Sequence, residues 1–362
     1  MRLVATEEQR ELRGTLRRFL ADRSPGGEVR RLMAAPEGHD PEVWALMAEQ
    51  LGLQGLAVAE EHGGAGYGTA ELAVVFEEMG RALLCSPFLA TTVAAAAVAA
   101  CGDAAFQAGA LPGLADGTTI ATLAWSEAAP AVEARRDGDG WTLHGAADRV
   151  LDGHLADLVL VPARTGAGTR LFAVRDGFAR TPLTTLDQTR RLARLEFADT
   201  PARALEGDAD AALGHALDAA SVALAAEALG GAQRMLDLTV EYVKVRKQFG
   251  RAIGSFQAIK HRCADLFVLV ESSRSAVMAA AATADEDPAR LPAAASVAKA
   301  YCTDAYFQVA GEAVQLHGGI GFTWEHDAHL HFKRAKSCQA LFGSPAWHRR
   351  RLDATALAPS GS

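Results

Sequence analysis

Two stretches of the chain carry residue types able to hold an anionic ligand. The first, Arg246-Lys247-Gln248-Phe249-Gly250-Arg251-Ala252-Ile253-Gly254-Ser255-Phe256-Gln257, opens on an arginine near the end of a long predicted helix. A planar guanidinium can grip a dinucleotide pyrophosphate through two parallel hydrogen bonds, a task a lysine performs less well. The plainer reading is an arginine that offsets the negative end of the helix dipole. The second stretch, Gln315-Leu316-His317-Gly318-Gly319-Ile320-Gly321-Phe322, offers small residues and free amides where a ligand can approach the backbone closely. Taken alone it also reads as a helix C-cap and turn.

The titratable groups elsewhere point less clearly. Asp218 and Glu227 lie on the helix ahead of Arg246, where an acid is normally exposed or capping, although either could act as a general base. His326 and His329 share one helix face, as metal ligands do, but a solvated polar helix without metal is the expectation there. His261, beside Lys260 on an amphipathic helix, reads as structural. There is no Ser-His-Asp order with a nucleophile elbow, no GxGxxG after a strand and no P-loop. Cys85, Cys101, Cys263, Cys302 and Cys338 are scattered singly, so neither a disulfide framework nor a zinc site is expected, and a reducing cytoplasm fits best.

The elements that must position these residues fall into three textures. Thr6 with Gln9 three residues on forms a capping-box pattern ahead of Leu12, Leu16, Phe19 and Leu20. Asp40-Pro41 starts a second helix carrying Trp44, Leu46, Met47 and Leu51. After the break at His62-Gly63-Gly64-Ala65-Gly66, helical patterns run over 71–84 and 87–100, so residues 1–115 read as a helical domain. Short β-type runs follow at 118–126, 132–136, 141–144, 157–162, 170–174 and 194–197, with Asp137-Gly138-Asp139-Gly140 as a hairpin turn. Residues 116–207 therefore read as a small antiparallel β domain. From 208 to 352 long helices return, the first ended by Gly250, and four of them suggest a bundle. Residues 353–362 read as a tail, with Ala358-Pro359-Ser360-Gly361-Ser362 disordered.

With 362 residues the chain is too long for one hydrophobic core, and its alanine- and leucine-rich composition favours helix over sheet. A formal charge of -8 gives no basic footprint for nucleic acid and would be repelled by an acidic membrane. The start, Met1 to Glu8, turns acidic too early for a signal peptide, and the apolar run 93–100 is too short to span a bilayer.

The two ligand-holding stretches, in this domain order and with Gly52-Leu53 and Glu60-Glu61-His62-Gly63-Gly64, closely resemble the acyl-CoA dehydrogenase family over nearly the whole chain. The resemblance implies a mainly α fold with a central antiparallel β domain and a C-terminal four-helix bundle that mediates tetramer formation. It also implies FAD held across a dimer interface, which makes Arg246, Gln248, Phe256, Gln315, Gly318 and Gly319 contacts to the neighbouring subunit's FAD. The family's chemistry removes the α-proton of an acyl-CoA thioester with a glutamate and passes the β-hydride to flavin N5. At the two positions where members carry that base, this chain has Phe342 and Ala220. The glycine-turn loop that usually faces the flavin is replaced by Trp125-Ser126-Glu127-Ala128-Ala129. The Trp-Ile-Thr strand is replaced by Arg149-Val150-Leu151, and a leucine side chain cannot hydrogen-bond N5.

These departures resemble the base-lacking subunits of actinobacterial hetero-oligomeric acyl-CoA dehydrogenases that oxidise bulky esters, steroid side chains among them. A homologous partner in an α2β2 assembly would then carry the glutamate, with an electron-transferring flavoprotein as acceptor. Two alternatives stand beside this. One is a homo-oligomeric flavoenzyme using Asp218 or Glu227, and the other is a flavin-free structural module.

Overall fold

The computed structural model describes residues 4–357, with side chains described as far as 353. In chain order the helices are α1 (Glu7–Arg23), α2 (Gly26–Ala34), α3 (Pro41–Glu49), α4 (Thr69–Ala82), α5 (Phe88–Ala99) and α6 (Ala104–Ala115), then α7 (Ala209–Val245), α8 (Gln257–Glu286), α9 (Leu291–His317), α10 (Ala328–Ala340) and α11 (Pro345–Leu357). Between α6 and α7 lie β1 (Ala121–Leu123), β2 (Glu133–Asp137), β3 (Gly140–Leu151), β4 (Leu158–Thr165), β5 (Gly168–Val174), β6 (Ala179–Leu183) and β7 (Leu192–Ala204). A short hairpin, β8 (Lys247–Gln248) and β9 (Arg251–Ala252), joins α7 to α8. The chain divides into two compact units. One takes residues up to Val29, Thr69–Leu84 and those from Ser221 onward, and the other takes Arg30–Gly68 and Cys85–Ala220.

In the helical unit the capping box forms as the sequence indicates, Gln9 N donating to Thr6 Oγ1 at 3.2 Å and Thr6 N to Gln9 Oε1 at 3.1 Å. The cap of α4 comes instead from α8, where the Asp285 carboxylate accepts from Thr69 N at 2.9 Å and Ala70 N at 3.2 Å. α4 and α7 pack with their backbones nearly touching, because Gly80 and Gly230 leave no room for a Cβ against the carbonyls of Glu227 and Glu77. α10 and α11 both pack on α9. Beyond the four expected helices, α11 carries the chain past the 352 boundary as helix to Leu357, so residues 353–357 are not a tail; 358–362 lie outside the described residues.

In the second unit, β4 pairs with β2 and β5, and the pairings β2–β3, β3–β7 and β7–β5 close the strands into a ring around Leu143, Val159, Val161, Phe172 and Leu195. The hairpin at Asp137–Gly140 forms, with Gly138 at φ 57°. The sheet is mixed rather than antiparallel: β1 runs parallel to β4 (Ala121↔Leu158), and β2 meets β4 in parallel at Glu133↔Arg164. Each run was recognisable by composition, but β1 pairs with a strand more than thirty residues on, which no local pattern specifies. β6 and helices α2 and α6 were not anticipated. β6 is polar, bonds only to β7 and carries Pro182, which suits an edge strand. The C-terminal end of α2 is capped from a distance by Arg191, which donates to the carbonyls of Met33 at 2.8 Å and Ala35 at 2.5 Å.

Among the described residues two helices, α7 and α8, are long and apolar enough to cross a membrane by length and composition. The apolar window of α7 is 78% buried inside the protein, as in the core helix of a folded domain, while that of α8 is 33% buried.

Candidate functional site

α7 ends at Val245, and the Arg246 amide still donates to Tyr242 O at 2.9 Å, so Arg246 sits at the negative helix end as expected. Gly250 does not end the helix. It forms, with Phe249, the two-residue turn of the β8–β9 hairpin, and both have positive φ (53° and 79°). That geometry matches the right-handed twist of the strands and normally selects Asn or Gly, so a phenylalanine there is strained. Its ring is 93% exposed. Ile253 N closes the loop onto Arg246 O at 2.8 Å, and Gly254 lies so close to Val243 O that a Cβ would sit 2.9 Å away. Arg251 stacks over the half-buried Phe256 ring at 4.0 Å.

The second stretch turns at the end of α9. His317 Nδ1 donates to Ala313 O at 2.7 Å, and burial holds the imidazole below its ordinary pKa, so it is neutral. Its ring stacks on Tyr242 at 4.5 Å and lies 4.3 Å from that of His326. This pile of rings ties the end of α7 to the end of α9, which brings the two stretches to the same end of the helical unit. Gly318 has φ 63°, and a Cβ at Gly318 or Gly319 would meet nothing within 4 Å, so both face open space. Arg246, Gln248, Gln315, Gly318 and Gly319 are all exposed. Around them Phe322 and Trp324 are exposed as well. Tyr242 was missed in the sequence; its position one helical turn before Arg246 is the signal that could have found it.

The positions of the family base lie elsewhere. Phe342 is buried between α10 and α11 at φ 50°. Beneath it Lys299, fully buried, donates to Cys338 O at 2.8 Å and Gly343 O at 3.0 Å, and His348 Nε2 donates to Phe342 O at 3.1 Å. Burial, followed by the charge of Lys299, pushes His348 down to about 4. Ala220 is fully buried on α7.

Three expectations need correction. Asp218 and Glu227 are neither exposed nor capping: both are buried, and Glu227 forms an ion pair with Arg334, itself buried. α10 is not a solvated helix, since His329 and His331 are buried and His331 Nδ1 meets Tyr306 OH at 2.7 Å. His331 and Arg334 face inward because Tyr306 and Glu227 satisfy them, a pairing that composition does not reveal. His261 is exposed on α8 rather than packed. No group of three His, Cys, Asp or Glu among the described residues could hold a metal ion.

In the second unit, the segment after β1 has no glycine turn, and Ser126 Oγ donates to Ala128 O at 3.1 Å. Arg149 takes φ 57° at a bulge in β3, Leu151 is buried, and its carbonyl accepts from Thr122 Oγ1 at 2.6 Å.

Long packed helices, a closed sheet, and two exposed stretches at Arg246 and Gln315 held together at one end of the helical unit, with Phe342 and Ala220 buried elsewhere, are the features by which the chain is classed. The chain belongs to the acyl-CoA dehydrogenase family, oxidoreductases acting on CH–CH bonds: the family's N-terminal domain matches residues 6–118 and its C-terminal domain residues 211–357. It is 41% identical to the acyl-CoA dehydrogenase IpdE2 of Mycobacterium tuberculosis over 351 residues, 97% of this chain and 98% of that one. Among solved structures it is similar to a variant of the Tcur3481-Tcur3483 steroid ACAD (34% identity, TM-score 0.90, covering 98% of this chain and 99% of that one). It is also similar to the ChsE4-ChsE5 complex of M. tuberculosis (30% identity, TM-score 0.91, full coverage of both chains).

Proposed function

We infer that this chain is a subunit of a hetero-oligomeric, FAD-dependent acyl-CoA dehydrogenase and that it contributes FAD contacts in trans while a homologous partner carries the catalytic glutamate. One contrast carries the reading. Exposed Arg246, Gln248, Gln315, Gly318 and Gly319, with half-buried Phe256, offer a glycine-opened cradle, while both base positions hold buried apolar residues, Phe342 and Ala220. The residues suit FAD unevenly. A fork at Arg246 and open backbone at Gly318 and Gly319 suit a pyrophosphate, whereas Leu151 offers no side-chain donor to flavin N5.

When bound, FAD supplies the acceptor for the β-hydride. The chain's own part is to hold and orient: Arg246 neutralises phosphate charge, Gly318 and Gly319 admit the ligand to the backbone, and the Tyr242–His317 stack fixes the two stretches against each other. The partner's carboxylate removes the α-proton. The exposed Phe249, Phe322 and Trp324, with the open apolar face of α8, suit burial against that partner in an α2β2 bundle. The steroid ACAD and the two-chain complex among the similar structures support a bulky, steroid-derived acyl-CoA as substrate. We place the assembly in the cytoplasm, with an electron-transferring flavoprotein as acceptor, no nucleic-acid or membrane partner, and sequential domains at 1–115, 116–207 and 208–357.

The homo-oligomeric alternative is weakened by Glu227, whose carboxylate is taken up by Arg334; Asp218 is buried as well. A flavin-free module leaves the open cradle without a purpose. The test is purification of the chain alone and with its partner. Yellow, active protein only from co-expression is expected, and a homo-oligomer with one FAD per chain and full activity overturns the reading.

A further inference from the structure

On the helical unit, a cavity of about 420 Å³ opens between α1, α4, α7 and α10. Its walls bring three guanidinium groups, Arg17, Arg81 and Arg234, against the carboxylates of Glu78 and Asp327, with the imidazole of His331 beside them. Two of the three cations are committed: Arg17 pairs with Glu78 at 2.6 Å, and Arg81 with Asp237 at 2.7 Å. Arg234 is half-buried and makes no hydrogen bond or ion pair among the described residues. Burial and the charge of Arg81 lower its pKa despite the weaker pull of Asp327 and Asp237, and it stays charged at any physiological pH. His331 adds no cation of its own, because burial and then Arg234, Arg334 and Arg81 push it well below its ordinary value. Glu78, Asp237 and Asp327 offset the charge of the three guanidinium groups, so what the cavity offers is the Arg234 fork of donors, which no protein group among the described residues satisfies.

We propose that this cavity is a binding site for a phosphate group, free or carried by a small metabolite, gripped by Arg234 with Arg17 and Arg81 beside it. The Arg234 fork can grip two oxygens of a tetrahedral anion, and the N–H groups of Arg17 and Arg81 that Glu78 and Asp237 do not use lie beside it for a third. The volume exceeds what one such anion fills, which leaves space for an organic remainder. This site is independent of the Arg246 cradle and of the subunit reading above.

The test is equilibrium dialysis of the full chain, in the assembly in which it is purified, against radiolabelled inorganic phosphate and separately against glycerol phosphate. Saturable binding at one site per chain is expected, weakened about tenfold to a hundredfold by Arg234→Gln and less by Arg234→Lys. Ala21→Glu places a carboxylate at the exposed rim, where folding tolerates it, and is expected to expel the anion as well. Arg246→Ala leaves this binding unchanged, which separates the site from the flavin cradle. Tighter binding of glycerol phosphate identifies an organic phosphate as the source, and tighter binding of inorganic phosphate identifies the free anion. No saturable binding of either, or equal affinity in the Arg234→Gln and Ala21→Glu variants, overturns the proposal.

Discussion

Glu227 and Arg334 form a buried ion pair on α7 and α10, and a buried charge left without its partner is costly. Glu227→Gln is therefore expected to lower stability by about 3 to 5 kcal/mol, read as a shift of the urea midpoint at unchanged slope. Replacing both residues with leucine recovers most of that loss. A relocated catalytic base would behave differently, since its amide variant abolishes turnover while the midpoint stays put. Phe342 makes the complementary case. It is buried over Lys299 and His348, so Phe342→Glu is expected to cost about 2 to 4 kcal/mol and to confer no turnover when the partner's own base is removed. Measurable turnover from that substitution would mean the pocket is still competent. Both residues show what a sequence displays at this scale. That Phe342 and Ala220 are not acids can be read directly, but the burial of Glu227 depends on an arginine more than a hundred residues away.

At the scale of elements, the helix starts with local caps were legible, because Thr6 with Gln9 and Asp40 with Pro41 satisfy orphan amides from within a few residues. The starts and pairings that depend on distant groups were not: the α4 cap from Asp285, the α2 cap from Arg191 and the parallel β1–β4 pair each join parts far apart in the chain. The same distance hides the α4–α7 crossing, where Gly80 and Gly230 admit the facing carbonyls. Gly230→Ala is expected to push these helices apart and destabilise by about 1 to 3 kcal/mol, whereas Gly214→Ala on the same α7, with open space around it, raises stability slightly. Equal midpoints for the two variants would contradict the close packing. Buried histidines on these helices also set a pH dependence. His348 is held neutral by burial and by Lys299, with its pKa pushed to about 4 against an unfolded value near 6.5. A depressed histidine pKa contributes stability that is complete above about pH 6.5 and is lost as pH falls toward 4, because the unfolded chain takes up the proton first. His331 and His317 shift the same way. Urea midpoints are thus expected to fall across that window, and His348→Gln should flatten the slope.

For the whole molecule, the decisive question is whether the exposed cradle works on a ligand that another chain also holds. Arg246 is the sharpest probe, because it is exposed in the single chain and sits at a helix end where its charge has a plain structural use. Loss of a bidentate, charge-assisted contact to a pyrophosphate costs roughly 2 to 4 kcal/mol, or about 30- to 1000-fold in cofactor affinity. Arg246→Ala is therefore expected to strip flavin from the co-purified assembly on dialysis while leaving its helical content and subunit stoichiometry intact. Arg246→Lys restores part of the affinity, because a point charge replaces a fork. Phe249→Ala, at the tip of the same hairpin, separates two roles of this face: it removes an exposed apolar contact and is expected to weaken subunit association more than flavin retention in the intact assembly. If the Arg246→Ala assembly keeps its flavin through dialysis as well as the parent does, the arginine acts only on the helix dipole. The cofactor must then be held entirely by the partner chain.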